Sequence, residues 1–152
     1  AQSAQPIISY NYGVDRWDNI RKARKLLINT SFLFGILVTV LFVFFPTQLV
    51  ALFVDPTDNA GVIAIEGFPY FATGIVFFIL NVAIVGYYQS VELVRKATFL
   101  VFLRGLIFLV PCFVVLPMVF GVKGIWLAMP VAEMLTLFVV LFLFKSRSRN
   151  SQ

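Results

Sequence analysis

Four long stretches of the chain lack the alternation of apolar and polar positions that a soluble fold needs. Residues 26–45, 67–90, 97–120 and 124–144 are apolar almost throughout. A helix rises about 1.5 Å per residue and needs about 20 residues to cross a hydrocarbon core of about 30 Å, which each run supplies. A barrel strand would alternate over about ten residues, and these runs do not. The pattern predicts an all-α integral membrane protein with four transmembrane helices.

The segments between and before the runs carry their own signals. Residues 1–12 are semi-apolar and contain Pro6, while Asp15 and Asp18 mark the opening of a helix at about Arg16. Trp17 and Ile20 fall on one face of that helix, with Arg21, Lys22, Arg24 and Lys25 mostly on the other. This predicts an amphipathic segment that lies at the cytoplasmic interface and bends into the first span. A plain basic flank that only sets topology is the alternative. After Pro46, residues 47–54 continue a helix past a kink or lie along the outer interface, and Asp55-Pro56-Thr57-Asp58-Asn59 supplies a turn.

Composition agrees with lipid as the main solvent. Of the 152 residues 61% are hydrophobic and 12% charged, whereas soluble domains are about 45–50% apolar and about a quarter charged. A soluble enzyme, a disordered chain and a disulfide scaffold are excluded. Cys112 has no second cysteine to pair with, and the absence of His argues against the usual zinc sites. The net charge of +5 is an orientation signal rather than a nucleic-acid footprint. Arg16, Arg21, Lys22, Arg24 and Lys25 precede the first span, Arg95 and Lys96 lie between the second and third, and Lys145, Arg147 and Arg149 follow the fourth. The opposite loops hold Asp55, Asp58 and Glu66 with Lys123 as their one base, so both ends are expected in the cytoplasm.

Candidate chemistry reduces to polar groups inside the spans, where each is costly unless paired or wet. Glu133 lies roughly 13–14 Å from the outer end of its span, near the bilayer centre. Pro130 and Thr136, three residues to either side, share its face. Arg104 lies about 10 Å from the inner end of the third span, leaving roughly 5–6 Å of depth between the two, within reach of a guanidinium stem. Glu133 is therefore either a proton or cation site, or a contact for a cationic substrate, or half of a structural ion pair with Arg104. Tyr70, Gly74, Phe77, Asn81 and Tyr88 follow one helical face of the second span. That stripe is either a packing face or a lining able to hold planar cations by cation–π contact. Pro111, Pro117 and Pro130 interrupt the backbone ladder at membrane depth, as candidate kinks. No phosphate loop, metal cluster or nucleophile arrangement is visible, and no enzyme or cofactor is expected.

The stretch Gln5, Pro6, Ile7, Ile8, Ser9, Tyr10, Asn11, Tyr12, Gly13 with the following basic run resembles the signature at the cytoplasmic end of the eighth helix in multidrug and toxic compound extrusion (MATE) transporters. Phe45-Pro46, Gly86-Tyr87-Tyr88-Gln89, Arg104, and residues 124–128 with Pro130 and Glu133 are similar in order and spacing. The resemblance implies that 1–25 hold the end of a fifth transmembrane helix and the interfacial segment. Residues 26–152 would then be helices nine to twelve of a twelve-helix fold, within its carboxy-terminal six-helix lobe, ending in a basic tail over 145–152. It implies a fragment of a multidrug efflux antiporter in the bacterial cytoplasmic membrane, exporting cationic or amphiphilic drugs, and so conferring antibiotic resistance, in exchange for H+ or Na+. Its partners would be the bilayer and the missing amino-terminal lobe, not nucleic acid. The family's sodium-binding Asp in helix ten has no counterpart in 67–90, and Gly105 stands where many members have Gln. A complete four-helix transporter working as a dimer, and a membrane scaffold without any site, are the competing readings.

Overall fold

The computed structural model describes the backbone of residues 2–148 and the side chains of residues 3–142. The basic tail falls at and past this limit: Arg149 lies outside the described residues, as do the side chains of Lys145 and Arg147.

All regular structure among the described residues is helical. A short 3-10 turn, Gln2–Ala4, leads into α1 (Gln5–Gly13), followed by α2 (Trp17–Phe44), the single-turn α3 (Pro46–Val50), α4 (Asn59–Ala72) and α5 (Ile75–Ser90). Helix α6 (Val94–Phe102) passes through a π-helical stretch, Leu103–Leu109, into α7 (Val110–Phe120), and α8 (Val122–Ser148) closes the described chain. Three helical stretches among the described residues are long and apolar enough to cross a bilayer: Trp17–Phe44, Val94–Phe120 and Val122–Phe142. A fourth span exists if α4 and α5, bent by 56° at their junction, cross as one. The protein is thus an all-α, multi-pass membrane segment.

Helix α1 ends differently from the capped start expected at Asp15. Asp15 takes a left-handed φ of 54°, and the Arg16 and Asp15 amides donate to the Asn11 and Tyr12 carbonyls. That is a Schellman stop for α1, with Asp in the position glycine usually fills. No side chain caps α2, which starts at Trp17 and runs unbroken to Phe44. No break separates the expected interfacial segment from the first span: with no Pro or Gly between Trp17 and Phe34, the helix is continuous there. The turn between α5 and α6 repeats the device, with Glu92 at φ 57° and the Leu93 amide donating to the Tyr88 carbonyl.

The second apolar run breaks where a continuous span was expected. The Thr73 hydroxyl donates to the Tyr70 carbonyl at 2.7 Å, and the Thr39 hydroxyl of α2 donates to the Ala72 carbonyl at 3.3 Å. The Thr39 bond serves a carbonyl at the break in the helix, and the Thr73 hydroxyl adds to the bond its own amide makes to the Tyr70 carbonyl. Helix α8 packs against both arms of the bend. The Trp126 ring lies on Gly67, and Pro130 lies on Gly74, where a Cβ would come within 2.5 Å of the Pro130 Cα. Small residues thus let two helices approach closely, which is how helices associate where lipid removes the hydrophobic drive.

Packing proceeds pairwise, α2 along α5, α7 along α8, and α8 against both α4 and α5. Ile8, Ile20, Leu27, Ala83 and Val91 form one buried cluster under α1, and Cys112, Ala128 and Ala132 another between α7 and α8. Many large apolar side chains, among them Phe44, Phe102, Met118 and Phe138, are exposed, as lipid-facing groups are.

Candidate functional site

Three helices place the polar groups of the membrane interior together. Pro111 has no N–H for the Ile107 carbonyl, and the π-helical stretch just before it carries Arg104. On α5, Phe78 and Asn81 are three residues apart and share a face. Glu133 comes from α8, one turn past Pro130.

The geometry is close and directional. Arg104 Nε donates to Glu133 Oε1 at 2.8 Å. Asn81 Nδ2 donates to Glu133 Oε2 at 2.8 Å and to the Glu133 carbonyl at 2.9 Å. Both carboxylate oxygens are engaged, which a buried charge requires. The Arg104 guanidinium also lies over the Phe78 ring, 4.6 Å from its centroid. Such a contact is worth up to about 2 kcal/mol when desolvated. The two charged partners differ in access: the Glu133 side chain is 3% exposed and that of Arg104 is 26%. Among the described residues, no group donates to the buried Asn81 Oδ1.

The other candidates sort by position. Pro130 packs on Gly74, and the Thr136 hydroxyl donates to the Ala132 carbonyl of its own helix at 2.8 Å. Tyr88 is buried with Ala97, Leu100, Leu103 and Val140. Tyr70 does not share a face with Asn81 and Tyr88, because the bend at Thr73 and Gly74 separates α4 from α5. It lines a separate cavity of about 360 Å³ between α4 and the start of α8, with Glu66, Lys123 and Trp126, and the Lys123 ammonium stands 5.7 Å from the centre of its ring. Phe78 escaped the sequence reading, which followed Phe77. The signal was its three-residue spacing to Asn81.

The amino-terminal signature acts as a joint. Gln5 Nε2 donates to Gln89 Oε1 at 3.3 Å and Ser9 Oγ to the Ser90 carbonyl at 3.1 Å, tying α1 to the end of α5. Asn11 donates to the Ile7 carbonyl and accepts from Asn19 at 2.9 Å, tying α1 to α2. Tyr12 meets Trp17 edge-on, Tyr10 is exposed, Pro6 opens α1, and Gly13 has no described neighbour where a Cβ would stand. Pro111 sits in the first turn of α7 and Pro117 within it. Among the described residues no group of three or more His, Cys, Asp or Glu could hold a metal ion.

Comparison with known proteins agrees on one kind of molecule. Residues 1–114 match the family model MatE. The solved structure of the MATE multidrug transporter DinF-BH in complex with rhodamine 6G is similar at 30% sequence identity and a TM-score of 0.79. The similarity covers 94% of this chain and 32% of that one, so the chain spans about a third of the length of that transporter. No curated protein matches.

Proposed function

The chain belongs to the MATE family of transporters, which are not enzymes, and on that premise we propose that it forms part of the second lobe of a multidrug efflux antiporter. Its crossing stretches, Trp17–Phe44, the bent pair Asn59–Ala72 with Ile75–Ser90, Val94–Phe120 and Val122–Phe142, correspond to helices nine to twelve of the twelve-helix fold, with α1 belonging to helix eight. It works with the amino-terminal lobe of the same transporter in the bacterial cytoplasmic membrane, both ends in the cytoplasm. Cationic or amphiphilic drugs leave in exchange for H+ or Na+ by alternating access.

The observation that carries this reading is the Arg104–Glu133 pair held by Asn81 inside the helix bundle. An ionisable pair at membrane depth is a functional-site hypothesis by default, because a packed apolar core would serve stability as well or better. Glu133 is the group that a cation would meet, Arg104 the counter-charge, and Asn81 the orienting amide. Tyr70, on its own cavity beside Lys123 and Trp126, faces the pathway or the lobe interface, whereas Tyr88, buried in an apolar cluster, packs the helices beside the pair. The test is efflux of rhodamine 6G by cells or proteoliposomes carrying the complete transporter, with and without Glu133→Gln. Efflux lost at unchanged protein level supports the reading; efflux at the wild-type rate removes Glu133 from the pathway, and no efflux by the unsubstituted transporter removes drug export.

A further inference from the structure

We propose that the cavity between α4 and the start of α8 seats the headgroup of a zwitterionic phospholipid, of the phosphatidylethanolamine type, with Lys123 on its phosphate and Glu66 on its ammonium. This site is separate from the Arg104–Glu133 pair of the transport reading. Of the two places open to Tyr70 it selects the lobe interface, edged by lipid. Two spans, Val94–Phe120 and Val122–Phe142, meet at the Gly121 turn, and a turn between two spans lies at a surface of the bilayer. Phe120 and Val122 both line the cavity, so it stands at headgroup level. Trp126 and Tyr70 in its wall are the residue types that collect at that level, each with an apolar body and one polar tip.

The wall is held by packing. The Trp126 ring rests on Gly67, where a Cβ would strike it, and meets the Phe68 ring edge-on with 6.3 Å between centroids. Phe68 is stacked in turn on Phe42 of α2. The volume of about 360 Å³ falls within the about 300–1,000 Å³ of sites that hold small molecules. Charge then selects the occupant. Glu66 and Lys123 line the same cavity, yet among the described residues neither is in an ion pair, and the Lys123 ammonium lies over the Tyr70 ring instead. Two opposite charges held apart sum to zero. They suit a molecule that carries both a phosphate and an ammonium, whereas an anionic lipid leaves Glu66 facing a like charge. Ile63, Phe120 and Val122 complete the lining with exposed apolar side chains, which acyl chains cover and a soluble phosphoester does not.

The complete transporter, purified in detergent, is mixed with phosphatidylethanolamine or with phosphatidylglycerol, each carrying a diazirine near the glycerol end of one acyl chain, then irradiated and digested. Phosphatidylethanolamine is expected to label peptides from α4 and the start of α8 about threefold or more above phosphatidylglycerol, the scale of one exposed charge pair. Glu66→Gln is expected to remove that preference, and Lys123→Met to lower labelling by both lipids. Wild-type labelling by phosphatidylglycerol that is equal or stronger, or labelling confined to other helices, overturns the proposal without any variant having to fold. A preference that survives Glu66→Gln, or labelling unchanged in Lys123→Met, overturns it as well. In a further arm soluble glycerophosphoethanolamine is added at the concentration of the lipid. Labelling that persists supports a lipid, and labelling that is abolished overturns it in favour of a free phosphoester.

Discussion

The unequal exposure of the two charged partners makes a quantitative prediction about which one the protein can spare. Replacing Arg104 with Met leaves Glu133, 3% exposed, with only the Asn81 amide for company. Stranding a buried charge in this way costs about 3–5 kcal/mol, and the Phe78 contact adds up to about 2 kcal/mol. Replacing Glu133 with Gln preserves an acceptor for Asn81 and leaves a cation already 26% exposed, which can move toward water. That loss is expected to be smaller, roughly 1–3 kcal/mol for an unmet buried hydrogen-bonding group. Carrying both changes removes the charges together, so the double variant should be more stable than the sum of the single losses indicates. Residues in direct contact couple by about 0.5–3 kcal/mol, and this pair belongs in the upper half of that range. The assay is reversible unfolding of the complete transporter in mixed micelles for the four members of the cycle. Additive losses, or a larger loss for Glu133→Gln than for Arg104→Met, would refute the reasoning.

Further predictions concern the backbone that positions the pair. Gly74→Ala places a Cβ within 2.5 Å of the Pro130 Cα and should destabilise by about 1–3 kcal/mol, read as a lower melting temperature. At the turn between α7 and α8, Gly121 has φ 59° and ψ −139°, a region open essentially to glycine, so Gly121→Ala should lose about 1–3 kcal/mol in the same assay. Glu92 holds a left-handed φ of 57° in the turn after α5, and Glu92→Gly should gain up to about 1 kcal/mol by relieving it. In the loop before α4, the Thr57 hydroxyl and amide both donate to Asp55 Oδ1 and hold its carboxyl below the ordinary value. Because the folded carboxyl is the more acidic one, its contribution to loop order is present above the ordinary Asp range and is lost as pH falls through the lowered value. A ¹³C titration of Asp55 should move back up in Thr57→Val; an unmoved titration would contradict the hydrogen bonds.

Which features could be read from residues alone follows from what each one depends on. The apolar runs depend only on lipid having no use for polar positions, and they are visible without any partner. The contact of Arg104 with Glu133 was within reach of depth arithmetic, since rise per residue brings the two to within roughly 5–6 Å of depth on antiparallel helices, a gap a guanidinium stem spans. The stripe from Tyr70 to Tyr88 failed because it assumed one unbroken helix. Pro69 and the Thr73-Gly74 pair were there to be read, but Pro111 and Pro117 looked no weaker as breakers. What sets the bend apart is that Pro130 of α8 fits against Gly74 and that Thr39 of α2 serves the Ala72 carbonyl. Both are partners distant in sequence, which helical periodicity does not report.

The same distant contact ties the irregular backbone to the polar pair. Pro130 and Glu133 lie one turn apart on α8, and the surfaces they meet, Gly74 and Asn81, lie two turns apart across the start of α5. The seat of Pro130 in the bend therefore fixes the level at which Glu133 faces Asn81, while the π-helical stretch fixes how Arg104 approaches from the other side. A substitution that unseats Pro130, such as Gly74→Ala, should then weaken the hydrogen bond between Asn81 and Glu133 although neither residue is altered. Combined with Asn81→Leu it should cost less than the sum of the two single changes, because the second has already removed the bond the first disturbs. Strict additivity would mean that bend and ion pair are independent features that merely share a helix.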